Sequence, residues 1–258
     1  MPARDLDLLT EAVTEAGRIA MRHFRANPRV WDKGADHGPV TEADLAVNEY
    51  LKAALLKARP EYGWLSEETP DDTSRLSRET VFIVDPIDGT RAFIAGETNF
   101  AISIAIARLG RVVTGAVMLP AKNRIYSAQA GEIACRDGLP IAASDRSTLN
   151  GAHVLATKAN MTADHWPGGV PDLQRSFRTS LAYRMCLAAE GRYDGMLTFR
   201  PTWEWDIAAG ALICACAGAR VTDRNGHELV FNSPAAQTEG VIATAPGLHD
   251  RLMDRLRK

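Results

Sequence analysis

The chain is predicted to be a mixed α/β protein in two halves, residues 1–145 and 146–258, and three observations carry that prediction. Four short apolar β runs, at 100–107, 112–118, 124–130 and 132–136, follow one another closely. Leu109-Gly110, Pro120-Ala121-Lys122-Asn123 and Gly131 separate them, and such spacing implies an antiparallel meander. After a polar, strand-poor stretch at 141–150, helix and strand patterns alternate instead, which layers helices on a sheet. The N-terminus adds a helical period. At this length the chain can form one large domain or two closely packed halves with ample core.

Leu6, Leu9, Val13, Ala16, Ile19, Ala20 and Phe24 recur at helical spacing, and Asn27-Pro28 ends that amphipathic helix. A polar, glycine-bearing loop from Lys33 to Pro39 follows, and Thr41 is a good N-cap for a second helix reaching about Lys57. Gly63-Trp64-Leu65-Ser66 reads as a short strand delivering Glu67-Glu68 to a polar linker at 69–79. Adjacent acids beside a linker are usually solvated. In the second half, strands are expected at 153–157, 193–199, 220–222 and 241–244. Helices are expected at 180–190, ended by Gly191, at 207–217, ended by Gly218, and from about Leu248.

The formal net charge is −2, with 24% of residues charged, so no basic face suggests nucleic-acid binding. Cys135, Cys186, Cys214 and Cys216 form no CxxC pair and sit in apolar contexts typical of reduced, buried thiols, which favours the cytoplasm. Acids at Asp5, Asp7 and Glu11 stand where a signal peptide is basic and then apolar. The longest apolar run, 207–219, falls short of the ~20 residues that span a bilayer, so no export or membrane segment is expected. The six histidines form neither HxH nor HExxH, which argues against zinc.

The most informative stretch is Val81-Phe82-Ile83-Val84-Asp85-Pro86-Ile87-Asp88-Gly89-Thr90. Its apolar start reads as a buried strand that Asp85-Pro86 stops, because proline has no N–H to give to a ladder. A turn there can aim both carboxylates, with the Ile87 carbonyl between them, at one hard cation. Gly89-Thr90 then offers close backbone approach and N–H groups for an anion. Asp-Pro and Asp-Gly are also ordinary turn formers. Asp44 can be explained by helix capping, and Asp206, at the start of a helix, by an N-cap.

Taken together, Asp44, Glu67-Glu68, Asp85-Pro86-Ile87-Asp88-Gly89-Thr90 and Trp205-Asp206 with Ala209-Gly210 resemble the inositol monophosphatase superfamily of Mg²⁺-dependent, lithium-sensitive phosphatases. The resemblance covers nearly the whole chain. It implies a layered α-β-α-β-α fold, a homodimer, and a phosphate monoester hydrolase acting on a small phosphorylated metabolite. Glu67, Asp85 and the Ile87 carbonyl would hold one Mg²⁺, and Asp85, Asp88 and Asp206 a second. Thr90 paired with Asp44 would deprotonate the attacking water, and the Gly89 and Thr90 N–H groups would hold phosphate oxygens. Glu68 and the loop around Lys33 and Asp36 are candidates for a third metal and a mobile lid. Oxygen ligands suit Mg²⁺. A phosphate dianion can approach such acids only when cations invert the charge.

Members of the superfamily cleave inositol monophosphates, 3′-phosphoadenosine 5′-phosphate, fructose bisphosphate or histidinol phosphate. The hydroxyl-binding glutamate of inositol monophosphatases is replaced at the nearest position by Thr198. Cys186-Leu187-Ala188-Ala189-Glu190-Gly191 and the 199–206 segment look more like bacterial 3′(2′),5′-bisphosphate nucleotidases. Arg184 stands where those enzymes carry a basic residue near the nucleotide and could clamp a second phosphate; the alternative is an exposed helix residue. Asp88 to Ile94 followed by Gly96 also resembles histidinol phosphatases. The nucleotidase reading ranks first, then inositol-1-monophosphatase, then histidinol phosphatase. A protein that binds a phosphorylated metabolite without cleaving it is the non-enzymatic alternative, distinguished by phosphate release with Mg²⁺.

Overall fold

A computed structural model describes residues 4–34 and 38–257. The first half contains α1 (Asp5–His23), β1 (Val30–Asp32), β2 (Pro39–Thr41), α2 (Glu42–Ala58), β3 (Gly63–Ser66), β4 (Thr80–Asp88), α3 (Thr90–Ile94), β5 (Ala101–Arg108), β6 (Arg111–Leu119), β7 (Arg124–Gln129), β8 (Cys135–Arg136) and β9 (Leu139–Pro140). There follow β10 (Ala152–Leu155), β11 (Leu173–Ser176), α4 (Leu181–Ala189), β12 (Gly195–Thr198), β13 (Thr202–Trp203), α5 (Glu204–Cys216), β14 (Arg220–Thr222), β15 (Gln237–Thr238), β16 (Val241–Thr244) and α6 (Pro246–Arg257).

Strands β3 to β9 form a seven-stranded sheet in sequence order, antiparallel except for the parallel β3–β4 pair. The second sheet runs β11-β10-β12-β16-β14, with parallel pairing of β10 to β11 and β12 and antiparallel pairing at β16. Strand alternation sorts the layers. Phe82, Val84, Ile102, Ile104 and Ile106 face α1 and α2, whereas Val81, Ile83, Ala101, Ala105 and Ala107 face α4 and α5. Those two helices also cover Leu155, Met196, Val241 and Ala243 of the second sheet, whose other face packs on α6 through Val154, Leu197, Ile242, Leu248 and Leu252. The result is the α-β-α-β-α sandwich. Gly115 permits the close contact of β6 with α5, since a Cβ there would lie 3.0 Å from the Ala209 Cα.

Several expectations need correction. Pro86 does not stop the strand, because β4 continues to Asp88 through an irregularity: Asp85 pairs with Ser103 and Asp88 with Ala101, so three steps on β4 oppose two on β5. The 69–79 segment is clamped, since Arg75 is 1% exposed and binds the Asp71 carboxylate (2.7 Å) and the Asn232 side chain (2.7 Å). Strands β1, β2, β9, β11, β13 and β15 were not expected; β1 and β2 pair antiparallel, Val30 opposite Thr41 and Asp32 opposite Pro39. Cys186 and Cys214 are buried, but Cys135 and Cys216 are half-buried; all four are free thiols.

Candidate active site

The irregularity in β4 builds the centre of the site. In a regular strand Asp85 and Asp88, three residues apart, would face opposite sides of the sheet. The extra residue reverses the phase, and Ile87 turns into the α1/α2 core while both acids face α4 and α5. Asp206 joins them from α5. Trp203 is the N-cap of that helix, so Asp206 is its third residue and not the N-cap. The pairing of β13 with β15, Trp203 opposite Gln237, fixes where α5 begins. Carboxylate oxygens of Asp85, Asp88 and Asp206 all lie within 4.8 Å of one another.

The acids differ in their support. Asp88 Oδ2 accepts from Ser180 Oγ (2.5 Å) and from the Ala182 N–H (2.6 Å) at the start of α4, where the helix dipole favours negative charge. Burial nevertheless raises its pKa to about 6, with Ser180, Ala182 and Arg184 opposing. Asp85 is 1% exposed and neither carboxylate oxygen has a hydrogen-bond partner. Burial, then Glu67, Asp88 and Asp206, push its pKa well above the usual carboxylate range. Asp206, half-buried, is also raised by burial and by Asp88 and Glu67, with Arg200 and Arg184 opposing. A buried carboxylate with two orphaned oxygens beside two more acids is a donor set fit for a hard divalent cation.

Glu67 and Glu68 follow β3, whose end is tied to α2 by a hydrogen bond from Ser66 Oγ to Asn48 Oδ1 (2.7 Å). They are not solvated. The Lys33 ammonium donates to Glu67 Oε1 (2.9 Å) and Glu68 Oε1 (2.7 Å), and the Glu68 side chain is 3% exposed. Burial pushes Glu68 up to about 7 despite Lys33. For Lys33, burial pulls the pKa down, but the two glutamates outweigh it and the net shift is upward. Asp36, the other loop candidate, lies outside the described residues.

Thr41 caps α2: its hydroxyl accepts from the Ala43 N–H, and its own N–H and hydroxyl both donate to Asp44 Oδ2, at 2.8 and 2.5 Å. The other carboxylate oxygen, Asp44 Oδ1, is 3.2 Å from Thr90 Oγ1. Capping and contact with Thr90 are therefore simultaneous, and burial raises Asp44 to about 6 while Thr41 opposes. The Thr90 hydroxyl also lies 3.1 Å from the Ile87 carbonyl. Gly89 has φ +97° and a Cβ there would meet the Asn99 carbonyl at 3.2 Å, so this turn requires glycine.

A cleft of about 370 Å³ is lined by Glu67, Asp85, Ile87, Asp88, Gly89, Thr90 and Asp206 together with Arg91, Phe177, Arg200, Trp203 and Trp205. The two indoles stack at 4.6 Å with 9° between planes. Arg200 is exposed and was missed by sequence reasoning, because a single arginine between Phe199 and Pro201 has no periodic signal. Arg184 is not an exposed helix residue. It is 5% exposed behind Asp88, stacks on Phe177 at 4.8 Å and donates to the Thr179 carbonyl at 3.3 Å, with Nε unpaired.

These shifts carry a stability prediction. The folded pKa values of Asp44 and Asp88, about 6, exceed the ordinary 3.8, so between those values the folded chain holds protons that the unfolded chain has released. Stability of the metal-free chain should therefore fall as pH rises through this window. Buried His249, lowered to about 4, acts oppositely, and so at the acid end of the range do Asp71, Asp72 and Glu228, but the buried acids Asp44, Asp85, Asp88, Asp206 and Glu68 outweigh them toward neutrality. Calorimetric scans in chelator from about pH 4 to about pH 7 should show a falling melting temperature. A rising one contradicts the electrostatic picture.

Fold and site together define a phosphatase of the metal-assisted, all-carboxylate kind. The chain belongs to the inositol monophosphatase family, whose model matches residues 3–258. An inositol-1-monophosphatase of Rhizobium meliloti is 34% identical over 235 residues, 86% of each chain. A 3′(2′),5′-bisphosphate nucleotidase CysQ of Escherichia coli O157:H7 is 32% identical over 240 residues, 88% of this chain and 93% of the relative. Among solved structures, the extragenic suppressor protein suhB of Bartonella henselae superposes with a TM-score of 0.85 at 27% identity, covering 99% of both chains. An IMPase from Thermotoga maritima gives 0.83 at 27% identity, covering 98% of this chain and 96% of the other. The family's enzymes are phosphoric monoester hydrolases, so the chain is a phosphatase and the purely binding alternative falls away. Among the described residues no helix is long and apolar enough to cross a membrane.

Proposed function

We propose that the chain is a Mg²⁺-dependent hydrolase whose substrate is an adenosine bisphosphate, 3′-phosphoadenosine 5′-phosphate, and that it removes the 3′-phosphate. The observation that carries this reading is the rest of the cleft lining, beside the carboxylates. Arg200 and Arg91 there offer guanidinium groups for a second phosphate, and the stacked Trp203 and Trp205 offer a planar apolar surface to a base. Arg200 makes no ion pair among the described residues and is free to take one from substrate. An inositol monophosphate has neither a second phosphate nor a ring face.

In this reading Glu67, Asp85, the Ile87 carbonyl, Asp88 and Asp206 hold two Mg²⁺ ions, and Glu68 is available to a third. Bound there, the cations offset the charge of the cluster and stabilise the attacking and leaving oxygens. Asp44, whose Oδ1 lies 3.2 Å from Thr90 Oγ1, accepts the Thr90 proton as Thr90 takes one from the attacking water. Thr41 holds Asp44 in place throughout. The Gly89 and Thr90 N–H groups at the start of α3 orient the phosphate. Lys33, which donates to Glu67 Oε1 at 2.9 Å, would have to release that carboxylate for it to hold a cation. A homodimer in the cytoplasm completes the proposal; the family's habit supports the former and the four unpaired thiols the latter.

The test is phosphate release from 3′-phosphoadenosine 5′-phosphate, inositol 1-phosphate and histidinol phosphate at equal concentration. The parent should prefer the bisphosphate. Arg200→Ala should raise KM for it roughly tenfold or more, about 1.5–3 kcal/mol for a charge-assisted contact, and leave monophosphates nearly unchanged. Arg184 does not line the cleft and its Nε is buried, so Arg184→Ala should raise KM for the bisphosphate less than Arg200→Ala does. The second reading, inositol-1-monophosphatase, is favoured by the 34% identical relative. It takes over if kcat/KM is highest for inositol 1-phosphate.

A further inference from the structure

Away from the cleft, Asn99, Lys122, Arg124, Arg178, Tyr183 and Arg192 line a separate pocket of about 450 Å³ that shares no lining residue with it. Four cations converge there from three stretches of chain: Lys122 and Arg124 from the turn after β6 and the first residue of β7, Arg178 from the segment before α4 and Arg192 from the loop after it. None of the four forms an ion pair among the described residues. Their partners are neutral. Lys122 Nζ donates to Thr98 Oγ1 (2.9 Å) and lies 5.5 Å over the Tyr183 ring. Arg178 donates to the Tyr193 hydroxyl (3.0 Å) and to the Phe177 carbonyl (2.7 Å). These contacts hold Lys122 and Arg178 in position without neutralising them. Glu190, the acid of this neighbourhood, already accepts from Tyr126 (2.9 Å) and Arg136 (2.6 Å).

Like charges held together repel, and the effect is felt at Lys122, whose pKa is lowered by burial and then by Arg124, Arg178 and Arg192. A chain that gathers four half-buried or exposed cations around a concavity, two of them held by neutral partners, has formed a site in which an anion relieves that repulsion. We propose that this pocket is a second, metal-independent binding site for a small, multiply charged phosphate anion. Tyr183 is 5% exposed and Lys122 covers its ring, so no aromatic face is left for a base and recognition rests on the phosphate groups alone. The concave, almost wholly polar lining fits a small anion better than a protein surface. Arg178 also adjoins Thr179, which lines the catalytic cleft, and Ser180, which donates to Asp88, so the two sites are separated by one short strap of chain.

The probe is inorganic phosphate, titrated calorimetrically into the full-length chain with saturating Mg²⁺. Two binding events are expected in the parent. The doubly substituted Lys122→Gln/Arg124→Gln chain should lose one of them, with affinity falling about tenfold or more, and keep the other along with its basal phosphate release. Arg192→Gln, at an exposed position where folding is not at stake, should weaken the same event by at least about threefold. One event in the parent that neither substitution alters overturns the proposal. So does an unchanged titration accompanied by a change in sedimentation, which would mean that the pocket takes an acidic segment of a second copy.

Discussion

Asp85→Asn is expected to abolish Mg²⁺-dependent phosphate release and, in chelator, to raise the melting temperature of the chain. Both effects come from one geometry. Asp85 is buried with two unpartnered oxygens and is surrounded by Glu67, Asp88, Asp206 and Asp44. Without a cation it is a cost to folding, and an amide of the same shape removes the charge. Replacing uncompensated buried charge typically gains about 1–3 kcal/mol, or roughly 2–10 °C for a chain of this size. With Mg²⁺ present the order inverts: preferential binding to the native state should raise the melting temperature of the parent and not of the variant. Activity assays and paired calorimetric scans with and without Mg²⁺ check both halves. A variant that keeps its Mg²⁺-dependent shift and its turnover would falsify the assignment of Asp85 as a shared ligand.

Thr90→Ala is expected to lower kcat by roughly 10²–10⁴, the range for losing a positioned general base, with the Mg²⁺-dependent thermal shift intact. Its hydroxyl contacts Asp44 Oδ1 and the Ile87 carbonyl and accepts nothing from the core, so deletion leaves a small defect. Asp44→Asn is a less clean test, because Asp44 also closes the capping box of α2 and its loss costs about 1 kcal/mol of stability besides. If the two residues act as one unit, the double variant should be little slower than the slower single one. Thr90→Ala turning over within a few-fold of the parent would leave water activation to other groups, and Thr90→Ser retaining the rate would support the hydroxyl's role.

Much of this architecture was legible because helices and strands in the cores keep strict periods. Leu9, Val13, Ala16 and Ala20 mark the buried stripe of α1, and Thr41 caps α2 as its residue type suggests. The acids of the site were legible as a series but not as an arrangement. Proline at 86 reads as a strand end because its missing N–H breaks a ladder, yet a bulge already contains a residue with no partner to lose. Asp206 reads as a cap by composition, while the pairing of β13 with β15, decided by contact across 34 residues, moves the helix start to Glu204. Glu67 and Glu68 read as solvated, since nothing local announces that Lys33 reaches them from another loop. Arg200 faces the cleft only because a turn after β12 carries it there. A short exposed strand such as Val30–Asp32 has apolar residues but buries neither face, so it leaves no alternation to read.

The extra residue in β4 also has a meaning for how such sites can be found. Along this strand the apolar residues keep time from Val81 to Val84, then Ile87 falls on the beat that belongs to the opposite face. A regular ladder satisfies its own backbone and has no use for a dropped beat. An interruption in rhythm at the end of a deeply buried strand, with acids on either side of it, is therefore a mark of chemistry that can be read without any motif: the chain gives up a pairing there in order to turn two side chains toward the same neighbour.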